Sequence, residues 1–306
     1  MNIIQINTKK YAIKFLSVIF IILLINLTVL NQNSVSADAK TFLWKVESKT
    51  TTVYVLGSIH FMKKESYPLS RKIEDAFDRS SVLAVEADVN DISKINIQEV
   101  TQAAFYLGGD SLEKHVSGDT YELVKKEFGG LGFPVWIVSK QKPWFLALSF
   151  EALQLMKQGY DPSYGVDMHF LSKASGTKQI KELESVDYQI SLLSGFSDNE
   201  QEAFLLYTLK GAKKYGEEVD KAVDAWKSGD EDKMEAIIAR SINEDSNIAS
   251  MYEKLLYERN RRMVSKIEGY LSTGQVHFIV VGAGHLVGQK GIINLLKNKG
   301  YSVEKL

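Results

Sequence analysis

The chain has 306 residues, 45% of them apolar, and 37 basic against 38 acidic residues, which is ample for a sizeable core and leaves no strong charge of either sign. The balanced charge, with no basic tract surviving past the N-terminal region, argues against nucleic acid as a partner. Cysteine is absent, which excludes disulfides, thiolate metal sites, cysteine nucleophiles and a lipid-modified N-terminal cysteine, so any metal must rest on imidazole and carboxylate.

The first 37 residues stand apart. Lys9, Lys10 and Lys14 precede an apolar run from Phe15 to Ile25, apolar character continues weakly to Leu30, and Val35-Ser36-Ala37 resembles a signal-peptidase site. A basic region, a short apolar region and a small-residue exit describe a secretory signal over residues 1–37, cleaved near Ala37. The alternative is an uncleaved anchor over residues 15–30, although the apolar run falls short of the about 20 residues of a comfortable bilayer span. The protein is therefore expected to be secreted or extracytoplasmic, touching a membrane only if this segment is retained. Its removal takes three lysines and no acid, for a net charge of about −4.

Residues 42–46 and 52–56 then read as two strands joined by a tight polar turn. Residues 68–77 read as a helix, with Pro68 in its first turn and Leu69, Ile73, Ala76 and Phe77 on one face. Val82-Leu83-Ala84-Val85 is a buried strand that ends at Glu86. From about residue 92 to 175 the pattern is mostly helical, broken by Gly129, Gly130, Gly132 and Pro134, and clearest as an apolar helix over 144–156. A short strand follows over 178–183, and residues 186–272 are again helical, with Ser197, Ser228 and Asp245 near helix starts. The chain closes with a strand over 276–281, a helix over 291–299 and a strand over 301–303. Strands thus cluster at both ends of the mature chain. The expected architecture is a single α/β (mixed α+β) domain over 38–306, its central sheet built from both ends and flanked and capped by the long helical middle.

Two segments read alike. Val53-Tyr54-Val55-Leu56-Gly57-Ser58-Ile59-His60 and Phe278-Ile279-Val280-Val281-Gly282-Ala283-Gly284-His285 are both apolar runs ending in Gly-x-x-His. Parallel strands buried on both faces would bring His60 and His285 to equivalent places at one sheet edge, where open α/β sheets bind ligands. The two glycines are expected to turn the chain with positive φ, so that substituting them damages folding. Imidazole serves as a metal ligand and as a general base near neutral pH.

Glu86, ending its own buried strand with Asp88 two residues on, points to the same edge. It could complete a His/His/carboxylate metal site or act as a base raised in pKa by burial; a solvated loop acid or helix cap is the plainer alternative. Asp167 and His169, two apart on a helix, would not face each other, so at most one enters a site; Asp167 is otherwise a favourable first-turn charge. Arg259-Asn260-Arg261-Arg262 reads by default as a solvated helix face. His115 and His277 have no suggestive context. Ser58 lacks the Gly-x-Ser-x-Gly elbow, and no P-loop, dinucleotide fingerprint or His-Glu-x-x-His is present.

These residues resemble the TraB/PrgY/GumN group, whose animal relatives are the Tiki metalloproteases. The resemblance is carried by Leu43-Trp44-Lys45-Val46 with Leu56-Gly57-Ser58-Ile59-His60, by Val85-Glu86-Ala87-Asp88, and by Gly165-Val166-Asp167-Met168-His169-Phe170. Leu183-Glu184-Ser185-Val186 with Gln189, Glu258-Arg259-Asn260 and Val281-Gly282-Ala283-Gly284-His285-Leu286-Val287-Gly288 complete it, in order across most of the mature chain. It implies a two-fold-repeated α/β core, related to the erythromycin-esterase fold, with His60, His285 and Glu86 holding a divalent metal (Mn, Co or Zn) and cleaving peptide bonds. On that reading Arg259 or Asn260 would stabilise the developing oxyanion, and Asp167 or His169 would orient a metal-bound imidazole. The expected partner is a peptide or protein substrate. Two alternatives stay open: a non-catalytic protein that sequesters an extracellular peptide, in the manner of pheromone shut-down, and a metal-free, histidine-assisted esterase.

Overall fold

The computed structural model describes residues 40–306 except Asp245. The expected secretory segment 1–37 and the helix start expected at Asp245 lie outside the described residues. In chain order the elements are β1 (Leu43–Glu47), β2 (Thr52–Ser58), α1 (Arg71–Asp78), β3 (Val82–Val85), α2 (Ile97–Ala104), α3 (Gly118–Gly130), α4 (Val135–Val138) and α5 (Pro143–Lys157). They continue with α6 (Val166–Ala174), β4 (Gln179–Glu182), α7 (Val186–Ser194), α8 (Asp198–Gly211), α9 (Tyr215–Lys227), α10 (Glu231–Glu244) and α11 (Ser246–Tyr252). A π-helical turn, Glu253–Glu258, then runs into α12 (Arg259–Leu271), followed by β5 (His277–Gly282), α13 (Ile292–Asn298) and β6 (Ser302–Lys305).

The fold is α/β, with one mixed sheet in the order β4-β3-β5-β2-β1-β6. Strands β2, β5, β3 and β4 run parallel, and β1 is antiparallel to β2 and β6. The apolar runs over 53–56, 82–85 and 278–281 are buried throughout, as strands covered on both faces must be. Burying each such Val, Leu or Ile contributes about 1.5–3 kcal/mol. Only β4, half-buried at the sheet edge, comes from the helical middle.

The described chain divides into two compact units, one comprising 89–158 and 187–216, the other 40–88, 159–186 and 217–306. The first is helical around Leu112, Phe128, Leu146, Phe150, Leu205 and Leu209. Its α8 starts at Ser197 as expected, with a capping box in which Glu200 answers the Ser197 backbone. The second unit holds the whole sheet. There Phe77 of α1, Phe170 of α6 and Phe278 of β5 pack as a triangle, with ring centroids 4.8–5.5 Å apart. That cluster pins α6 on the sheet and thereby fixes where Asp167, three residues before Phe170, points.

Three local expectations are corrected. Pro68 lies outside α1, which starts at Arg71 with Ser70 at its N-cap. Ser228 ends a helix instead of starting one: its Oγ donates to Asp224 O, and Asp230 receives the Lys233 N–H at the next helix start. Neither Gly57 nor Gly282 has positive φ. Space is what demands glycine at position 57, where a Cβ would lie 2.5 Å from Phe42 Cδ1 and 3.1 Å from Ala283 Cα.

His277, fully buried at the start of β5, stacks on Tyr270 at 4.5 Å and donates from Nδ1 to Gln275 O. Its Nε2 meets no partner, and burial lowers its pKa, so it folds as the neutral ring. The unfolded chain binds this proton more readily, so stability contributed by the neutral ring is lost as pH falls below about 6.5. His277→Phe keeps the stacking and removes the titration. In urea unfolding, the variant is expected to lose less stability than wild type between about pH 7 and about pH 5; equal losses would refute this role for His277.

Candidate functional site

Every residue of the candidate site belongs to the sheet-bearing unit. In the sheet, Ser58 pairs with Gly282 and Gly57 with Val281, so the two Gly-x-x-His motifs are staggered by one residue. This corrects the expectation of equivalent places. Gly282 enters a 3-10 turn over Ala283–His285 at once, whereas β2 runs on through Ser58. The result is two unlike histidines. The His60 side chain is 61% exposed at the rim, and that of His285 is 6% exposed in the interior.

Each ring is held by its Nδ1. His285 Nδ1 lies 2.6 Å from Asn260 Oδ1, while Asn260 Nδ2 donates to Lys290 O at 2.8 Å. The second bond fixes the amide orientation, so Oδ1 must accept and Nδ1 of His285 must carry the proton. Burial, reinforced by Arg259 and His60 and opposed by Glu86, lowers the His285 pKa to about 4. At neutral pH its Nε2 is therefore a bare lone pair.

His60 Nδ1 lies 2.7 Å from Asp167 Oδ2, and Ser58 Oγ steadies the other carboxylate oxygen at 2.8 Å. The Asp167 charge raises the His60 pKa to about 9 against the opposing cost of burial. Water at the exposed face of the ring screens part of that field. His169, also on α6, faces away: its Nε2 meets Glu74 Oε1 at 2.9 Å and its ring lies against Tyr67. Of the two α6 candidates, only Asp167 reaches the site.

Glu86 sits one residue past β3. Its Oε1 accepts the Gly282 N–H at 2.6 Å and lies 3.7 Å from His285 Nε2. Its Oε2 accepts from Arg259 Nη2 at 2.5 Å. Burial works against ionisation, but His285, Arg259, His60 and the Gly282 N–H together hold its pKa at about 2. Glu86 is a fixed carboxylate, not a base raised by burial.

Arg259 and Asn260 are not placed to stabilise an oxyanion. Asn260 is 1% exposed with both side-chain heteroatoms engaged, and Arg259 is 9% exposed. The Arg259 guanidinium binds Glu184 through Nε at 2.9 and 3.1 Å and through Nη2 at 2.7 Å, Glu86 through Nη2, and Leu255 O through Nη1 at 2.9 Å. The expectation of a solvated helix face therefore fails for both. The π-helical turn that leads into α12 supplies the Leu255 carbonyl. Sequence reasoning missed Ser58 and Glu184 as members of the network. Glu184 had two legible signals, its place in the Leu183-Glu184-Ser185-Val186 segment and its position just past β4, as Glu86 is just past β3.

Among the described residues, no group of three or more His, Asp or Glu side chains is spaced to hold a metal ion. The donor chemistry nevertheless fits a divalent cation. A Cβ built on Gly282 would sit 3.3 Å from Glu86 Oε1, 3.5 Å from His285 Cδ2 and 3.7 Å from His60 Nε2, so these three side chains ring a space that glycine leaves empty. The 3.7 Å between His285 Nε2 and Glu86 Oε1 is longer than the about 3.4 Å edge of a tetrahedron with bonds of about 2.1 Å. Both imidazoles carry oxygen acceptors on Nδ1, the usual support for metal-binding Nε2.

The TraB/PrgY/gumN family model matches residues 42–305. The chain is 24% identical over 245 residues to the uncharacterized protein YbaP of Escherichia coli K12, covering 80% of this chain and 87% of that protein. It is 23% identical over 324 residues to metalloprotease TIKI1 of Danio rerio, covering 89% of this chain but only 64% of that longer protein. A metalloprotease TIKI homolog of Amphimedon queenslandica is 40% identical over 58 residues, 18% of this chain and 11% of that one. No solved structure matches.

The two motif glycines should respond oppositely to alanine. Gly57→Ala forces its Cβ into Phe42 and is expected to lower stability by about 1–3 kcal/mol in urea unfolding. Gly282→Ala, at φ −50 and ψ 135, is expected to fold normally and to abolish function by filling the space between His60, Glu86 and His285; an active Gly282→Ala variant would refute the site. Asp167→Asn should bring the His60 pKa down from about 9 toward the ordinary 6.5 in a nitrogen-15 NMR titration of cation-free protein. An unmoved His60 would show that Asp167 is not the cause.

Proposed function

The chain belongs to the TraB/PrgY/gumN family, and from that premise we propose that it is an exported, metal-dependent hydrolase that cleaves peptide bonds. The observation that carries the reading is that Glu86 Oε1, the His60 Nε2 edge and the His285 ring border one space beside Gly282, with His285 Nε2 3.7 Å from Glu86 Oε1. The naming of relatives such as TIKI1 as metalloproteases supports it. Among the described residues no helix is long and apolar enough to cross a membrane. Export rests on the basic, apolar and small-residue pattern of residues 1–37.

His60, Glu86 and His285 would hold the cation. A bound Mn, Co or Zn ion would polarise the scissile carbonyl and bring a water toward neutral pKa. The chain's own groups do the rest. Asn260 holds His285 in the tautomer whose Nε2 faces inward. Arg259 fixes Glu86 as a carboxylate and turns Oε1 toward the imidazoles. Asp167 makes His60 electron-rich, and the exposed rim position puts the His60 ring, and the cation it would hold, within reach of an incoming peptide. The substrate would approach from this rim, since His285, Arg259 and Asn260 are sealed behind it.

One observation favours a second reading. The exposed, strongly basic His60–Asp167 pair is the arrangement of an acid–base imidazole, which would serve a metal-free esterase equally well. One assay separates the two readings, and sequestration without turnover from both. The purified chain is expected to hydrolyse peptides, to lose that activity in chelator and to regain it with added Mn, Co or Zn. His60→Ala and His285→Ala should each lower kcat/KM by about 100-fold or more with an unchanged melting profile. Full activity in chelator would select the metal-free route. Tight peptide binding without turnover under any metal would sink the enzyme reading.

A further inference from the structure

Glu184 is a buried acid to which the proposed mechanism gives no task. Its side chain, two residues past the end of β4, is 2% exposed, and a carboxylate is buried so deeply only when it is paired. Its cationic neighbour is Arg259, which grips both Glu184 oxygens through Nε and adds Nη2 at 2.7 Å. The same Nη2 reaches Glu86 at 2.5 Å. One guanidinium therefore serves two carboxylates. Were Glu86 its sole anionic partner, the pair would be neutral and the Glu86 charge would be spent on it. With Glu184 present, the buried trio keeps one net negative charge, and the Glu86 oxygen turned away from Arg259 is the one facing the imidazoles.

The backbone ties the two acids together. Glu184 N–H donates to Glu86 O at 2.7 Å, and Leu183 N–H donates to Val85 O at 2.8 Å, extending the parallel pairing of β3 and β4 past the strand ends. Glu184 thus sits at a fixed offset from Glu86, set by the sheet.

We propose that Glu184 is a positioning residue that takes up the charge of Arg259 and so leaves the negative charge of Glu86 available to a divalent cation between His60 and His285. This rests on the metal-dependent reading of the site. Glu184 never touches the cation or the substrate; it acts through Arg259, and its effect is one of charge as well as of place.

The test is Mn2+ binding by the full chain, followed by isothermal titration, with circular dichroism of the cation-free proteins to establish folding. Glu184→Gln is expected to weaken Mn2+ binding by about 10- to 100-fold. The double variant Glu184→Gln/Arg259→Gln removes one negative and one positive charge together, and is expected to bind Mn2+ more tightly than Glu184→Gln alone. A purely structural role predicts the reverse, with the double variant weakest. An unchanged affinity in folded Glu184→Gln, or a double variant weaker than the single, overturns the proposal. If Glu184→Gln does not fold, the double variant decides: it has the net charge of wild type, and loss of Mn2+ binding by the folded protein overturns the proposal. A wild-type chain that binds none of Mn2+, Co2+ or Zn2+ overturns the metal-dependent reading and this inference with it. Wild-type binding with an unmoved Glu184→Gln overturns this inference alone.

Discussion

The site depends on keeping an ionised carboxylate out of water at the end of a buried strand. Glu86 must remain charged where desolvation would protonate it, and the surroundings of β3 answer that demand. The Gly282 N–H comes from the neighbouring strand β5 and Arg259 from the start of α12, while Glu184, just past β4 on the other side, holds Arg259 in place. Removing one member of such a buried cluster typically costs about 3–5 kcal/mol, because the charge left behind has no partner. The same cluster that holds the strand ends together therefore also sets the electrostatics of the pocket.

Against this fixed carboxylate the two histidines play unlike parts. A one-residue stagger between β2 and β5 suffices, because side chains alternate between sheet faces and each exit takes its own path. His285, wound into a 3-10 turn, is buried with a neutral amide on its Nδ1. His60, carried past the strand to the rim, meets a carboxylate on its Nδ1 and water on its face. Two copies of one motif thus yield a neutral interior donor and a strongly basic exposed one. The Phe77, Phe170 and Phe278 cluster belongs to this division, since it anchors the helix that delivers Asp167.

The motif glycines show how one residue type meets two demands. At Gly57 the chain needs room for Phe42, a packing constraint on the core. At Gly282 the backbone would accept alanine, and glycine instead leaves open the space bordered by His60, Glu86 and His285. Conformational freedom, the usual reason to expect glycine at a strand exit, explains neither.

The amino-acid sequence by itself determined the α/β class, the buried strands and the presence of His60, His285 and Glu86 at their ends. Unbroken apolar runs and the residues that stop them are local signals, readable from neighbours in the chain. The order of Arg259 and Asn260 was legible as well, but not their work, since a charged stretch on a helix looks solvated until its packing is known. Only the tertiary structure decided that Asp167 and not His169 turns to His60, that Asn260 sets a tautomer, and that Glu184 shares Arg259 with Glu86. These assignments depend on strand register and on contacts between residues 25 to 173 positions apart, which periodicity along the chain does not encode.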